Sequence, residues 1–267
     1  LKEYPGLRNV WIFLAIMGPG IITANVDNDA GGIATYSLAG AHFGYTLLWS
    51  LLPITLALIV VQEMCARMAV ATGKGLADLI RENFGVKITF YLMLVLLVVN
   101  ITNVMAEFAG VAASLEIFHV SRFISVPLAA LAVAMLVIRG TYKSVEKVFL
   151  FACLFYVAYI ISGLIAKPDW NEVWQQTFMP HFDFDLKYAI MLVGIIGTTI
   201  APWMQFYLQS SIVEKGIMPE EYKHIRLDVV VGCVIAPLVA FFIVVACAAT
   251  LFQAGVQIED AKHAAMA

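Results

Sequence analysis

Charge is scarce in this chain. Asp, Glu, Lys and Arg make up 13% of its 267 residues, against about 25% in a soluble domain. That shortfall is incompatible with an ordinary water-facing surface. The net charge of -3 leaves no basic field for a nucleic-acid partner. The four cysteines, Cys65, Cys153, Cys233 and Cys247, all lie in apolar runs. They have neither the pair spacing of a metal site nor the pattern of a disulfide framework. His42, His119, His181, His224 and His263 fall in loops or at span ends, with no pair at ligand spacing on a helix. With no nucleophile–base pair and no zinc cluster, nothing supports an enzyme. The first apolar run lacks a small-residue cleavage site, so it does not read as a cleavable signal peptide. Tandem soluble repeats and low-complexity tracts are also lacking.

Apolar sequence is what the chain has in abundance: 62% hydrophobic residues and a mean hydropathy of +0.89. A helix that crosses a bilayer needs about 20 apolar residues. About seven such spans can be placed, near 10–40, 44–71, 88–118, 124–138, 145–166, 186–213 and 228–252. The fourth is expected to begin at Val126-Pro127, because a proline in the first helical turn forfeits no hydrogen bond. Residues 167–186 contain Pro168, Asp169, Pro180 and His181. They read as an exposed loop with an interfacial helix around Trp170 and Trp174. Basic residues favour the cytoplasmic side. With the N-terminus inside, all of the 16 Lys and Arg lie in inside segments except Arg122, Lys167, Lys187 and Lys262. The expectation is a multi-pass protein of the cell membrane with a cytoplasmic N-terminus and the lipid bilayer as its surroundings.

The first span is interrupted where its middle should be. Gly18-Pro19-Gly20 is followed by Asp27, Asp29, Gly31 and Gly32. A charge at membrane depth costs about 2.5–3.5 kcal/mol on insertion scales and usually marks an ion or substrate path. Non-helical backbone survives at that depth where it lines a cavity. Asp29 is therefore a candidate metal ligand, since an ionised carboxylate beside unwound carbonyls is the hard oxygen set that Mg²⁺ prefers. The alternative is an acid paired with a neighbouring helix. Asp27, two residues away, points elsewhere on any helix and is read as part of a vestibule or ion path. The sixth span carries Thr198, Ala201, Pro202 and Gln205. Pro202 clashes with the carbonyl of Thr198 and cannot donate to the ladder. Carbonyls from Thr198 to Ala201 are thereby freed as ligands, with Gln205 as an extra oxygen donor. Taken alone, an ordinary proline kink explains that span as well. In the third span Asn100, Asn103 and Glu107 share a helical face. The asparagines read as interhelical hydrogen-bonding groups and Glu107 as a candidate on the ion path. Glu63 and Arg67 form an i,i+4 pair at a span end.

Interrupted spans five apart are the mark of two inverted repeats. The first repeat would occupy 1–166 and the first two spans of a second would occupy 186–252, within a single transmembrane domain over 1–267. The chain is on this reading expected to be a piece of a longer one.

These residues resemble the Nramp family of divalent-metal transporters, and within it the Nramp-related magnesium transporters of bacteria. The resemblance runs over essentially the whole chain. It is carried by Gly18-Pro19 through Trp49, by Ala71-Thr72-Gly73-Lys74-Gly75-Leu76-Ala77, by Ala106-Glu107, and by Gly194-Ile195-Ile196-Gly197 leading to Pro202. It implies an all-α, LeuT-like inverted-repeat fold with broken first and sixth helices. Asp29 would be the principal ligand, the carbonyls near Thr198 and Ala201 would complete the shell, and Gly31, Gly32 and Pro202 would shape the breaks. The family's Asp-Pro-Gly-Asn reads Asp29-Ala30-Gly31-Gly32 here, and its Met-Pro-His reads Ala201-Pro202-Trp203. Loss of the methionine sulfur favours hard ions, Mg²⁺ and Mn²⁺, over softer transition metals. Val104 and Trp203 stand where proton-coupled members have titratable side chains, which implies uncoupled flux. The expected function is import of Mg²⁺ and Mn²⁺ by alternating access, with the metal as cargo and no resident cofactor. The rivals are a proton-coupled Mn²⁺/Fe²⁺ transporter and a sodium-coupled amino-acid carrier of the same architecture.

Overall fold

The computed structural model describes residues 18–26, 28–140, 147–148, 151–180, 182 and 185–255. Among them there is helix and no strand. The first span is two helices, α1 (Pro19–Asn25) and α2 (Ala30–Phe43). A 3-10 turn, Leu48–Ser50, leads into α3 (Leu51–Thr72). Next come α4 (Leu76–Glu116) and α5 (Arg122–Arg139). Then follow α6 (Val157–Ile165) and α7 (Trp170–Phe178). The sixth span is again two helices, α8 (Leu186–Thr199) and α9 (Pro202–Lys215). The last, α10 (Tyr222–Cys247), runs into a π-helical turn at Ala248–Phe252. Five helical stretches are long and apolar enough to cross a membrane: Leu48–Thr72, Leu76–Glu116, Arg122–Arg139, Leu186–Lys215 and Pro219–Phe252. Phe151–Ile165 and Trp170–Phe178, bent by 115°, are long and apolar enough only when taken together. A helix does form around Trp170 and Trp174, where one was expected. Asp169 caps it by accepting from the Asn171 N–H at 2.9 Å.

One boundary differs from the sequence reading. Helix α5 does not start at Pro127. Ser121 caps it by accepting from the Phe123 N–H at 3.4 Å, so Pro127 lies inside the helix. A side-chain oxygen that satisfies an orphan donor outranks proline as a start signal. Within α4, Gly85 is non-helical (φ 82°, ψ 171°), so the range Leu76–Glu116 holds two helices that meet at a kink, and the second starts close to residue 88, where the span was expected.

The chain divides into two compact units. One comprises Leu1–Val26, Thr55–Asn100 and Ile200–Ala236. Its core is built from Ala24 of α1, a face of α3 (Leu58, Cys65, Ala66, Ala69, Val70), a face of α9 (Met204, Leu208, Ile212) and a face of α10 (Ile225, Val229, Cys233, Ala236). The α9 and α10 sets recur every three or four residues and Leu58, Cys65 and Ala69 of α3 every seven or four, the spacing of one helix stripe. The loop after α3 is held to α9 by Gln209, whose amide donates to the Lys74 carbonyl at 2.8 Å.

The other unit comprises Asp27–Ile54, Ile101–Thr199 and Pro237–Ala267. Here α2 packs on α8 and on the π-helical turn. The approach is close: a Cβ on Gly40 would meet the Val244 carbonyl at 2.5 Å and Cys247 Cβ at 2.9 Å. The aromatic ring of Trp170 packs on Trp174 and Phe242, and Trp174 on Phe178 and Phe241.

Candidate metal site

Asp29 is the N-cap of α2. Its backbone is extended (φ -73°, ψ -177°), and its carboxylate accepts from the Gly32 N–H at 2.7 Å. The next N–H, that of Ala30, donates to Glu107 Oε2 on α4 at 3.4 Å. Two acids thus hold the exposed donors of one helix start, where negative charge is favoured. Gly110, one turn beyond Glu107, makes this possible. A Cβ there would sit 2.5 Å from Ala30 Cβ, so only glycine lets α4 come so near to the start of α2. Asp29 and Glu107 line one cavity of about 510 Å³, together with Ile33, Tyr156 and Tyr159. The two carboxyls lie within electrostatic reach of each other. Tyr156 donates its hydroxyl to the Asn28 carbonyl at 3.2 Å, fixing the segment just before Asp29. What the described lining of this corner offers chemically is hard oxygen from two carboxylates.

Gly31 and Gly32 sit in the first turn of α2 rather than in the break itself. Asp29 explains the shift: by capping the Gly32 N–H it starts the helix earlier than the glycines suggest. In the sixth span, Pro202 is not a kink in a continuous helix. Helix α8 ends at Thr199, Ala201 is the N-cap of α9, and Pro202 is in its first turn. Proline fits there because its missing N–H would have been unpaired anyway. Thr198 is half-buried in the last turn of α8. With its amide nitrogen turned to the helix start, Gln205 donates to the carbonyls of Ala201 at 2.7 Å and Pro202 at 2.6 Å. In that geometry it contributes a donor at the break, where the sequence suggested an oxygen. Asp29, Glu107 and Thr198 belong to one compact unit, and Ala201, Pro202 and Gln205 to the other. Asp27 and His181 lie outside the described residues. Among the described residues no three His, Cys, Asp or Glu side chains gather as a metal cluster.

Sequence reasoning missed Tyr36 and Thr199. Both are completely buried. The Thr199 hydroxyl donates to the Ile195 carbonyl at 2.8 Å, which leaves Tyr36 to donate to Thr199 at 2.7 Å. This bond fastens α2 to the end of α8, the helix that carries Thr198. Tyr36→Phe is expected to cost about 1 kcal/mol, the net worth of one hydrogen bond, read as a lower thermal midpoint in detergent. An unchanged midpoint would mean that packing alone holds this end. The Glu63–Arg67 pair forms as expected, at 3.6 Å, and Glu63 also accepts from the Tyr222 hydroxyl.

The sequence model of the family described as "Natural resistance-associated macrophage protein-like" matches residues 20–267. A divalent metal cation transporter MntH of Bacillus subtilis (strain 168) is 29% identical over 260 residues, covering 92% of this chain and 60% of that protein. The MntH of Deinococcus radiodurans is 29% identical over 273 residues, covering 96% and 61%. The chain therefore spans about three fifths of the length of these relatives. Among solved structures, the Eremococcus coleocola manganese transporter in complex with an aromatic bis-isothiourea substituted compound superposes with a TM-score of 0.79. It is 21% identical, over 93% of this chain and 54% of that one. The fold is thus the all-helical, LeuT-like one with broken first and sixth helices.

Proposed function

Because the chain belongs to the Nramp family of divalent-metal transporters, we propose that it serves import of Mg²⁺, with Mn²⁺ as a second cargo, by alternating access. The observation that carries this reading is the start of α2, where Asp29 and Glu107 face one cavity. Asp29 is the principal ligand, directly or through water. Carbonyls at the second break, near Thr198 and Ala201, add hard oxygen, and Gln205 holds that break in shape. Mg²⁺ gives up water reluctantly and takes few carboxylates, which suits a site with no thioether. Asp27 and Glu107 lie on the ion's path. The first repeat runs over 1–166 and the first two spans of the second over 186–252, in a multi-pass protein of the cell membrane with its N-terminus inside.

Flux is uncoupled from protons. Val104 is an exposed aliphatic residue on α4, and Trp203 packs against the core of α3, α9 and α10. Neither can hold a proton. Family membership sets aside the amino-acid carrier, and the enzyme with it. The proton-coupled Mn²⁺/Fe²⁺ reading remains the rival, and one experiment separates the two. Full-length protein in liposomes is expected to take up Mg²⁺ and Mn²⁺ with no metal-dependent change in internal pH, under a valinomycin clamp. Reproducible acidification would overturn the uncoupled reading and point to Glu107.

A further inference from the structure

Asp228 is an acid in an apolar helix, and it is completely buried. A carboxylate so placed in a membrane segment calls for an explanation. Its Oδ2 accepts from the Gly20 N–H at 2.6 Å, and its Oδ1 from the N–H groups of Gly18 at 3.2 Å and Ile21 at 3.4 Å. These donors lie at the start of α1, more than two hundred residues earlier in the chain. Helix α1 has no cap of its own. Its N-cap position is Gly18, which has no side chain to offer and adopts φ 144°, a conformation that favours glycine. The first bond inside the helix runs from the Ile22 N–H to the Gly18 carbonyl at 2.7 Å. Pro19 has no N–H, so Gly18, Gly20 and Ile21 supply the N–H groups at this helix start. Asp228 takes all three.

The glycines allow the approach. A Cβ on Gly20 would meet the backbone of Val229 and Asp228 at 2.5 to 2.8 Å. One turn further along α10, a Cβ on Gly232 would meet the Gly20 carbonyl oxygen at 2.6 Å. Gly18, Pro19, Gly20, Asp228 and Gly232 therefore form one joint. It accounts for the Gly-Pro-Gly motif, which the metal site leaves unused.

We infer that Asp228 is a positioning residue for transport: it supplies the cap that α1 lacks and ties the first half of the broken span to α10, so that α1 shifts only together with that helix. The inference rests on the transport reading above only for its kinetic arm. The test uses full-length protein in nanodiscs and liposomes, as wild type, Asp228→Asn and Gly232→Ala. The first variant replaces an accepting oxygen by a donor, and the second wedges the same joint apart. Hydrogen exchange is expected to speed up by about tenfold or more in the peptide covering 18–25, with α8 and α5 unchanged. Maximal Mn²⁺ uptake is expected to fall about tenfold with the half-saturating concentration unaltered, because no ligand is touched. Unchanged exchange at 18–25 in both variants would overturn the inference. So would exchange that rises equally in all helices, or a weaker half-saturation at full rate. A wild-type protein that carries no metal, with the exchange difference intact, would refute the transport reading and leave the joint standing.

Discussion

Asp29→Ala is expected to remove Mg²⁺ and Mn²⁺ uptake almost completely, by about a hundredfold or more. Loss of a supporting group around a metal already costs 10–100-fold, and Asp29 is placed as the ligand itself. The structure adds a complication that the sequence did not carry. Asp29 also caps α2 through the Gly32 N–H, and removing an N-cap costs about 0.5–2 kcal/mol. Alanine therefore tests two roles together. Asparagine separates them, because it caps as well as aspartate but carries no charge. Asp29→Asn should lose transport to nearly the same extent while keeping the wild-type thermal midpoint, and Asp29→Ala should lose both. The measurements are metal uptake in liposomes and thermal unfolding of the same preparations. Wild-type uptake by the asparagine variant would take the Asp29 carboxylate out of the site. Asp27→Asn should be milder, and an equal loss there would mean that the two acids act together.

The second large effect concerns selectivity. Ala201→Met, ideally with Gly32→Asn, is expected to turn preference from Mg²⁺ toward Mn²⁺ or Cd²⁺ by about tenfold, or about 1.4 kcal/mol. A thioether gains little from a hard ion and more from a soft one. The added side chains also narrow a space that a hydrated ion would need, and Mg²⁺ tolerates lost water and distorted octahedral geometry poorly. Ala201 suits the test because it is the N-cap of α9 and makes no side-chain capping bond. Its role at the break is carried by its carbonyl, which methionine keeps. Gly32 is buried in the first turn of α2, so the double variant needs its thermal midpoint recorded alongside. Competition between Mg²⁺ and Mn²⁺ at matched expression gives the answer. A double variant that carries Mg²⁺ as well as wild type does would place the selectivity barrier at other residues.

Much of the scaffold was legible because membrane spans are written in composition. Runs such as those of α3 and α10 have no other stable place than a bilayer or a wholly apolar core. The broken spans were legible too, since Asp29 and Pro202 are poor choices inside a continuous membrane helix. Periodicity also identified the face of α4 that bears Asn103 and Glu107. Boundaries were less legible. Pro127 looked like a helix start, yet Ser121 begins α5. Gly31 and Gly32 looked like the break, yet both are helical. In each case a side-chain oxygen outweighed the backbone preference of the more conspicuous residue.

Of the seven spans the sequence suggested, the described residues form five, or six with the bent pair counted as one. The sequence by itself determined the apolar surroundings, the order of the helices, the two interruptions and the identity of the acid at the first. These depend on local composition and spacing, which need no partner to be read. Tertiary structure alone decided which groups meet. Glu107 reaches the Ala30 N–H across 77 residues because Gly110 lets α4 approach. Tyr36 meets Thr199 across 163 residues, and Asp228 caps a helix 210 residues before it. A hydrogen bond of that kind leaves no periodic trace, since each partner is set by the packing of whole helices rather than by its neighbours in the chain. Nothing in the spacing around Asp228 pairs it with the first span, and only the fold shows that its carboxylate caps the helix at Gly18 and Gly20.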